Sequence, residues 1–308
     1  MLAFKAKNPF GYGRVIIDNK NVKEVVEELS ADSETKKITL CNSGVMICKF
    51  NLLYSFIDKI NNKNHKKEKY LPDLFKICYQ NNKSFSYILC DENEMLGVNT
   101  LKDFNKIDAI YQKLLKNKLV ENGVKIIDPD SVRISFDTKI ASNVVIEPYV
   151  YFKTGVVIRE GVIIKSHSVV ESSIIGKGSV IGPYARIRPK TILKSNVKVG
   201  NFVEIKNSTI GDNSKISHLS YIGDSILGKN INIGAGTITC NFNGKIKNKT
   251  IIKDNVFVGS NTSLVAPITI NANVTIGAGS VVTQNIPQNS LVLERSPLQI
   301  IKKKKKNP

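Results

Sequence analysis

Arg188 and Lys206 stand 18 residues apart, each directly after an isoleucine, and His218 and Tyr221 follow about one such interval later. Two cations held about 5 Å apart repel by roughly 1–3 kcal/mol, depending on the effective dielectric. An anion between them reverses that sign, and the guanidinium fork suits phosphate. Histidine is the side chain that takes up a proton near neutral pH, so His218 beside an anion site is a candidate general base. The same residues also read as solvated surface charges, with Arg186 pairing Glu204 and His218 structural. The chemical reading requires that residues 18 apart be neighbours in space.

A second candidate is the stretch "NINIGAGTITCNFNGK", Asn230 to Lys245, with Gly234 and Gly236 among small residues. A dinucleotide fingerprint needs a third glycine and a strand-turn-helix frame, and nothing after Thr239 has helical periodicity. A zinc site is not indicated either, because this half of the chain holds only His167 and His218, and zinc chemistry needs several ligands on neighbouring segments.

The element that must position these residues is a repeat. Aliphatic side chains recur every six positions: Ile134, Ile140, Ile146, Phe152, Ile158, Ile164; then Val169, Ile175, Ile181, Ile187, Leu193, Val199, Ile205; and, later, Ile252, Val258, Leu264, Ile270, Ile276, Val282. Ile210, Ile216, Ile222, Leu227 and Ile233 bridge the series, with steps of five at three joins that read as tightened corners. Period six fits neither an α-helix nor a hairpin meander. It fits a three-sided parallel β-helix in which each hexad makes a short strand and a corner, and stacked turns bury one another's aliphatic layer about 4.8 Å apart. Hexapeptide prisms coil left-handed, against the usual crossover rule. Gly234 and Gly236 then serve backbone geometry, as residues that supply positive φ at tight corners. Arg188 and Lys206 project outward from adjacent turns.

The rest of the chain sets limits. Its 308 residues leave room for two domains. No signal peptide or membrane-spanning run is apparent, so a cytoplasmic protein is expected. Cys41, Cys48, Cys78, Cys90 and Cys240 are odd in number and lack metal spacing, which implies neither a disulfide framework nor a zinc site. The net charge of +19 is mostly lysine scattered among asparagines and isoleucines. A nucleic-acid surface would concentrate its charge on one face with a recognisable motif. Concentrated lysine occurs only at Lys302 to Lys306 and, more mildly, from Lys63 to Lys69, so no nucleic-acid partner is expected.

Residues 1–100 mix strands and helices: "RVIID" and "GVMICKF" read as strands, and "YLPDLFKICYQNN" as a helix with proline in its first turn. Leu101, Phe104, Ile107, Ile110, Tyr111, Leu114 and Leu115 fall at helical spacing, which predicts an amphipathic linker helix within 101–130. The prism is expected over 131–288 and a C-terminal arm with a basic tail over 289–308.

Several stretches carry a resemblance: "GPYARIRP", "VGNFVEIKNSTIGDNSKISHLSYIGD", "NIGAGTITCNFNGKIKNKT" and "VFVGSNTSLVAP" in the prism, and "NPFGYGRV", "CNSGVM" and "GVN" before it. Together these resemble, over the whole chain, the bifunctional N-acetylglucosamine-1-phosphate uridyltransferase/glucosamine-1-phosphate N-acetyltransferase family. The resemblance implies a left-handed parallel β-helix preceded by a truncated α/β nucleotidyltransferase-like domain. It implies that Arg188, Lys206, Tyr221, Asn232 and Lys247 hold glucosamine 1-phosphate, with His218 as proton acceptor. Acetyl-CoA contacts are implied at Ala235, Asn241, Phe242, Ser260, Ala278 and Arg295. Homotrimers with sites between prisms are also implied, Asn241 to Thr250 being a loop into the neighbouring subunit's site. Phe242 departs from the tyrosine common at its position and keeps the ring without the hydroxyl.

Gly13, Glu27, Asn42 and Asn99 match sugar-nucleotide positions, and Asn99 matches a magnesium ligand. The family's glycine-rich nucleotide loop and early aspartate have no counterpart in this sequence, so that metal site is incomplete and uridyl transfer by this chain alone is not expected. An inactive or structural partner of a separate N-terminal fragment, and another hexapeptide acyltransferase, are the alternatives to acetyl transfer.

Overall fold

A computed structural model describes residues 1–62, 67–98 and 100–294. The chain forms two compact units, Met1–Ile110 and a second beginning at Tyr111. Among the described residues, no helix is long and apolar enough to cross a membrane.

The first unit is a five-stranded sheet in the order β3-β2-β4-β1-β5, where β1 is Leu2–Lys5, β2 Arg14–Asp18, β3 Asn21–Val26, β4 Leu40–Asn42 and β5 Ile88–Cys90. The β1–β5 pair is parallel and the other pairs are antiparallel. Helices α1 (Phe50–Phe56) and α2 (Asp73–Gln80) accompany it, and Leu74, Phe75 and Cys78 of α2 are buried. "RVIID" is β2 and "YLPDLFKICYQNN" contains α2, as the sequence suggests. "GVMICKF" is not a strand. The regular ladder ends at Asn42, whose Oδ1 accepts the N–H of Gly44 (3.0 Å); Gly44 at φ +82° kinks the chain, which keeps one further contact to β1, from Leu2 N–H to the Val45 carbonyl (3.0 Å).

Helix α3 spans Leu101–Glu121. The apolar face that its spacing predicts is only partly buried. Leu101, Phe104, Tyr111 and Leu114 are exposed and Ile107, Ile110 and Leu115 half-buried, while Gln112 and Lys116 are buried. The reason lies in the opening turn of the β-helix, where a strand edge has no earlier turn to pair with. Gln112 fills that role with its side-chain amide, donating Nε2–H to the carbonyl of Ile134 (2.8 Å) and accepting Ile134 N–H at Oε1 (3.0 Å). Lys116 Nζ donates to the carbonyls of Pro129 and Val132. Buried backbone groups must be paired, and this requirement outranks the helix's apolar stripe.

The second unit is the left-handed parallel β-helix. Its described strands form three faces of ten, nine and eight strands, opening at Lys125–Ile126, Arg133–Ile134 and Lys139–Ile140 respectively. Partners stack in parallel, as in Ile187 on Ile205 on Ile222. The aliphatic members of the series are buried, many completely, apart from half-buried Ile140 in an opening turn; each fully buried one contributes about 1.5–3 kcal/mol of hydrophobic stabilisation. One position needs correction: Val170, not Val169, points inward and pairs with Ile187, so the first five-residue step falls at Val170–Ile175. Two adjacent valines satisfy either register in sequence, and stacking on Phe152 and Ile187 settles it.

Each of the three corners carries its own column of left-handed residues. At the corner from the third face to the first, Asn196, Asn213, Asn230, Asn255, Asn273 and Asn289 all have φ between 56° and 59°. Each Nδ2 donates to the next Oδ1, over 2.9–3.4 Å. Asparagine tolerates this backbone better than most residues. From first to second face, the column is a stack of exposed rings: Tyr149 on His167, His167 on Tyr184 and Tyr184 on Phe202, with centroids 4.8, 4.7 and 5.3 Å apart. From second to third face it runs Ser172, Lys190, Asn207, Asp224. There, one turn further on, the regular repeat is interrupted.

Candidate active site

The interruption falls between the strands Ile238–Cys240 and Thr250–Ile252. Leu227 pairs with Ile252, a turn of 25 residues where neighbouring turns use 17 or 18. The extra residues make a small hairpin: Phe242 bridges Lys247 in antiparallel fashion, Asn248 N–H donates to the Asn241 carbonyl (2.7 Å), and Asn243 Oδ1 caps the N–H groups of Lys245 and Ile246. Asn241 is buried and Phe242 is exposed.

Below this hairpin the second face gathers polar side chains. Arg188 follows Ile187 and its N–H donates to the Ile205 carbonyl (2.8 Å), which places it beside the next rung. Glu204 pairs with Tyr221, and Lys206 with Gly223, across the following rung. Glu204 binds Arg188 at 2.7 Å and Arg186 at 3.5 Å. Arg188 is therefore the closer partner, rather than Arg186 alone as the spacing suggests, and the Glu204 hydrogen bond pushes its guanidinium pKa up. Lys206 Nζ lies 3.4 Å from Asp224 Oδ2. Lys247 reaches down from the hairpin beside it. The two ammonium groups share one locality, so Lys206, contacting Lys247 and Asp224, is held above the ordinary lysine range, while Lys247 is pushed below it by Lys206. Like charges brought together in this way form a receptor for an anion.

Tyr221 owes its position to a glycine. A Cβ on Gly223 would collide with the Tyr221 hydroxyl and lie 2.8 Å from Asn241 Nδ2, so only glycine lets the ring fold back toward the hairpin.

His218 ends the strand Lys215–His218, at the corner from first to second face. Its exposed ring meets Asn201 Oδ1 through Nδ1, at 2.7 Å. A carbonyl oxygen only accepts, so Nδ1 carries the hydrogen, and in the neutral ring Nε2 is the nitrogen left with the lone pair. The first-face register runs Ile216, Ile233, Val258, Ile276, and the residues two positions on are His218, Ala235, Ser260 and Ala278. One corner column thus holds the candidate base and three of the positions for which the resemblance implies acetyl-CoA contacts. The column is tight: a Cβ on Gly234 would lie 2.5 Å from Ser260 N. Of the two glycines in "NIGAG", only Gly236 has positive φ, at +75°; Gly234 is there because the next turn comes too close. Asn232 sits on the first face in register with Lys215 and Phe257.

In the first unit, a Cβ on Gly13 would lie 3.1 Å from Glu27 Oε1, and the Gly13 carbonyl accepts the N–H of Asn42 (2.8 Å). These three positions, for which the resemblance implies sugar-nucleotide contacts, are thus adjacent. Asn99 and Arg295 lie outside the described residues. Among the described residues no three His, Cys, Asp or Glu side chains come together as a metal site. Asn99, the position for which the resemblance implies a magnesium ligand, is outside that description.

A hexapeptide-repeat β-helix with a cationic cluster and a histidine at one corner defines the class. Residues 249–284 match the family of bacterial transferase hexapeptides (six repeats), and 114–199 with 182–264 match the GMPPB C-terminal domain. Bifunctional protein GlmU of Bartonella bacilliformis is 44% identical over 299 residues, covering 97% of this chain and 66% of that protein. Its counterpart in Thermosipho africanus is 42% identical over 313 residues, covering 96% and 68%. The chain belongs to the bifunctional GlmU family, and it spans about two thirds of the length of these relatives. A solved UDP-N-acetylglucosamine acyltransferase is 18% identical over 55% of this chain and 70% of that one, with a TM-score of 0.48; at that level the likeness says nothing of substrate.

Proposed function

We propose that this chain transfers the acetyl group of acetyl-CoA to the amine of glucosamine 1-phosphate, in UDP-N-acetylglucosamine synthesis. The observation that carries this reading is the shared corner column of His218 and Ala235, Ser260 and Ala278, beside a cluster of three cations. Arg188, Lys206 and Lys247 bind the phosphate, and Tyr221 and Asn232 orient the sugar. Acetyl-CoA lies along the column, with Asn241, Phe242 and Arg295 as further contacts. Nε2 of His218 takes a proton from the sugar's ammonium, the amine nitrogen attacks the thioester carbonyl, and as the carbon–sulfur bond breaks the nitrogen's second proton passes to the sulfur, so that coenzyme A leaves as thiol. The backbone N–H of Ala235 steadies the oxyanion. Arg188 exchanges part of its Glu204 contact for phosphate.

The assembly is proposed to be a homotrimer in the cytoplasm. An outward stripe of Val157, Ile174, Ile192, Thr209, Ile226 and Ile251 stacks in register along the third face, which supports subunit packing through β-branched side chains.

The test is to mix the purified chain with glucosamine 1-phosphate and acetyl-CoA and to follow free thiol. Thiol release with this sugar supports the reading. Release only with another acceptor points to a different hexapeptide acyltransferase, and none with any acceptor to a structural partner.

A further inference from the structure

Asp224 occupies the corner directly beneath the inserted hairpin, in the left-handed conformation at φ +51°, and its side chain is only 9% exposed. Burying a carboxylate is costly unless it is well paired, and this one is. Oδ1 accepts Nδ2–H of Asn207 (2.5 Å); Oδ2 accepts from Nδ2 of Asn241 and from Nζ of Lys206 (3.4 Å). Its backbone carbonyl accepts Thr250 N–H (3.4 Å), and its own N–H donates to the carbonyl of Lys206 (3.0 Å). Asn241 opens the hairpin and Thr250 closes it. One residue thus holds both ends of the hairpin and also the lysine that faces it.

We propose that Asp224 is a positioning residue that latches the hairpin to Lys206, so that the phosphate-binding lysines and the hairpin's acetyl-CoA contacts are set by one carboxylate; this rests on the acetyl-transfer reading above. The groups facing Lys206 are Asp224 one turn on, Lys247 from the hairpin, Tyr221, and Arg188 with its partner Glu204. Of these, the carboxylate of Asp224 is the nearest anion. Without it, two ammonium groups would face each other uncompensated, and the hairpin that carries Lys247 would have reason to swing away. With it, the pair is preset for a dianionic ligand, which removes part of the ordering cost of binding.

Replacement by asparagine keeps the shape, removes the charge and turns one acceptor into a donor facing other donors. The Asp224→Asn protein should bind glucosamine 1-phosphate about 10- to 100-fold more weakly by calorimetry, the scale of a lost charge-assisted contact. Its Kd should begin to rise at lower alkaline pH than the parent's, because the carboxylate favours the charged form of both Lys247 and Lys206, and without it the pair, Lys247 first, gives up a proton more readily. Acetyl-CoA should bind more weakly in the same variant, although Asp224 is assigned no contact with it. Asp224→Glu, which keeps the charge, should restore the alkaline limb. Should Asp224→Asn fail to fold, Asn207→Ala, which removes one hydrogen bond to the carboxylate, should weaken both ligands together by about two- to fivefold. Affinities within twofold of the parent's for both ligands, or weaker binding with an unmoved alkaline limb, would overturn the proposal. Thiol release by the parent, measured in parallel, separates the two ideas: an active parent with an unaffected variant sinks only the latch. A parent that binds no glucosamine 1-phosphate sinks both.

Discussion

Nδ1 of His218 lies 2.7 Å from Oδ1 of Asn201 on the preceding turn. The pairing fixes which ring nitrogen carries the hydrogen and leaves the lone pair on the other. His218→Ala should lower turnover about 10²- to 10⁴-fold, the usual share of a positioned base, with folding intact because the ring is exposed. Asn201→Ala should lower kcat more modestly, about 3- to 30-fold, with KM little changed, since it removes only the orienting contact. Steady-state kinetics check both; turnover of His218→Ala within a few fold of the parent would remove the histidine from the mechanism.

Arg188→Ala should weaken glucosamine 1-phosphate binding by about 1.5–3 kcal/mol and leave unphosphorylated glucosamine little affected. Inhibition constants for the two sugars make the comparison. Equal losses would make Arg188 a partner of Glu204 and nothing more.

The pH dependence follows from Lys247, whose pKa is pushed down by Lys206 beside it. A lowered ammonium loses its proton, and with it its share of phosphate binding, at a lower pH than an ordinary lysine. KM for glucosamine 1-phosphate should therefore rise on the alkaline side before ordinary lysines titrate. Lys247→Met should bind more weakly near neutral pH and show a flatter alkaline rise. An unchanged slope in that variant would assign the limb to another group.

Gln112→Leu should destabilise the β-helix by about 1–3 kcal/mol, because it strands a buried N–H and C=O of Ile134 while adding apolar volume. Chemical denaturation followed by far-ultraviolet circular dichroism measures the loss. A neutral or stabilising result would show that solvent satisfies the edge.

Given UTP, magnesium and N-acetylglucosamine 1-phosphate, the chain alone should release no pyrophosphate. Gly13, Glu27 and Asn42 are adjacent, but no carboxylate cluster among the described residues is arranged to hold the metal. Acetyl transfer should persist under the same conditions. A coupled pyrophosphate assay decides, and release by this chain alone would overturn the expectation.

The hexad repeat was legible because an inward position repeated many times leaves few registers open; only the Val169–Val170 doublet was ambiguous, since a five-residue step adjoins it and could fall on either side. The stacking of Arg188 and Lys206 followed directly from that register. The burial of Gln112 was not legible, because helical periodicity reports apolar faces and carries no sign that a bare strand edge needs an amide. "GVMICKF" misled for a similar reason, as its β-branched and aromatic content says nothing of the turn at Gly44. Asp224 gave only a faint signal, the recurrence of short polar residues at Ser172, Asn207 and Asp224, whose meaning depends on knowing that the hairpin lies above them.

The asparagine column has a consequence for how such a scaffold can change. Asn230 and Asn255 are 25 residues apart, yet their side-chain bond of 3.0 Å falls within the range spanned by rungs 16, 17 or 18 residues long. The ladder registers the return of the chain and not the path taken between returns. Sliding the whole chain by one residue would break every rung at once and force other residues into left-handed corners, at roughly 1–2 kcal/mol each, whereas lengthening a single turn breaks none. A corner other than the asparagine corner is thus open to new loops, and a lineage can exchange the inserted hairpin while inheriting the rest of the column unaltered.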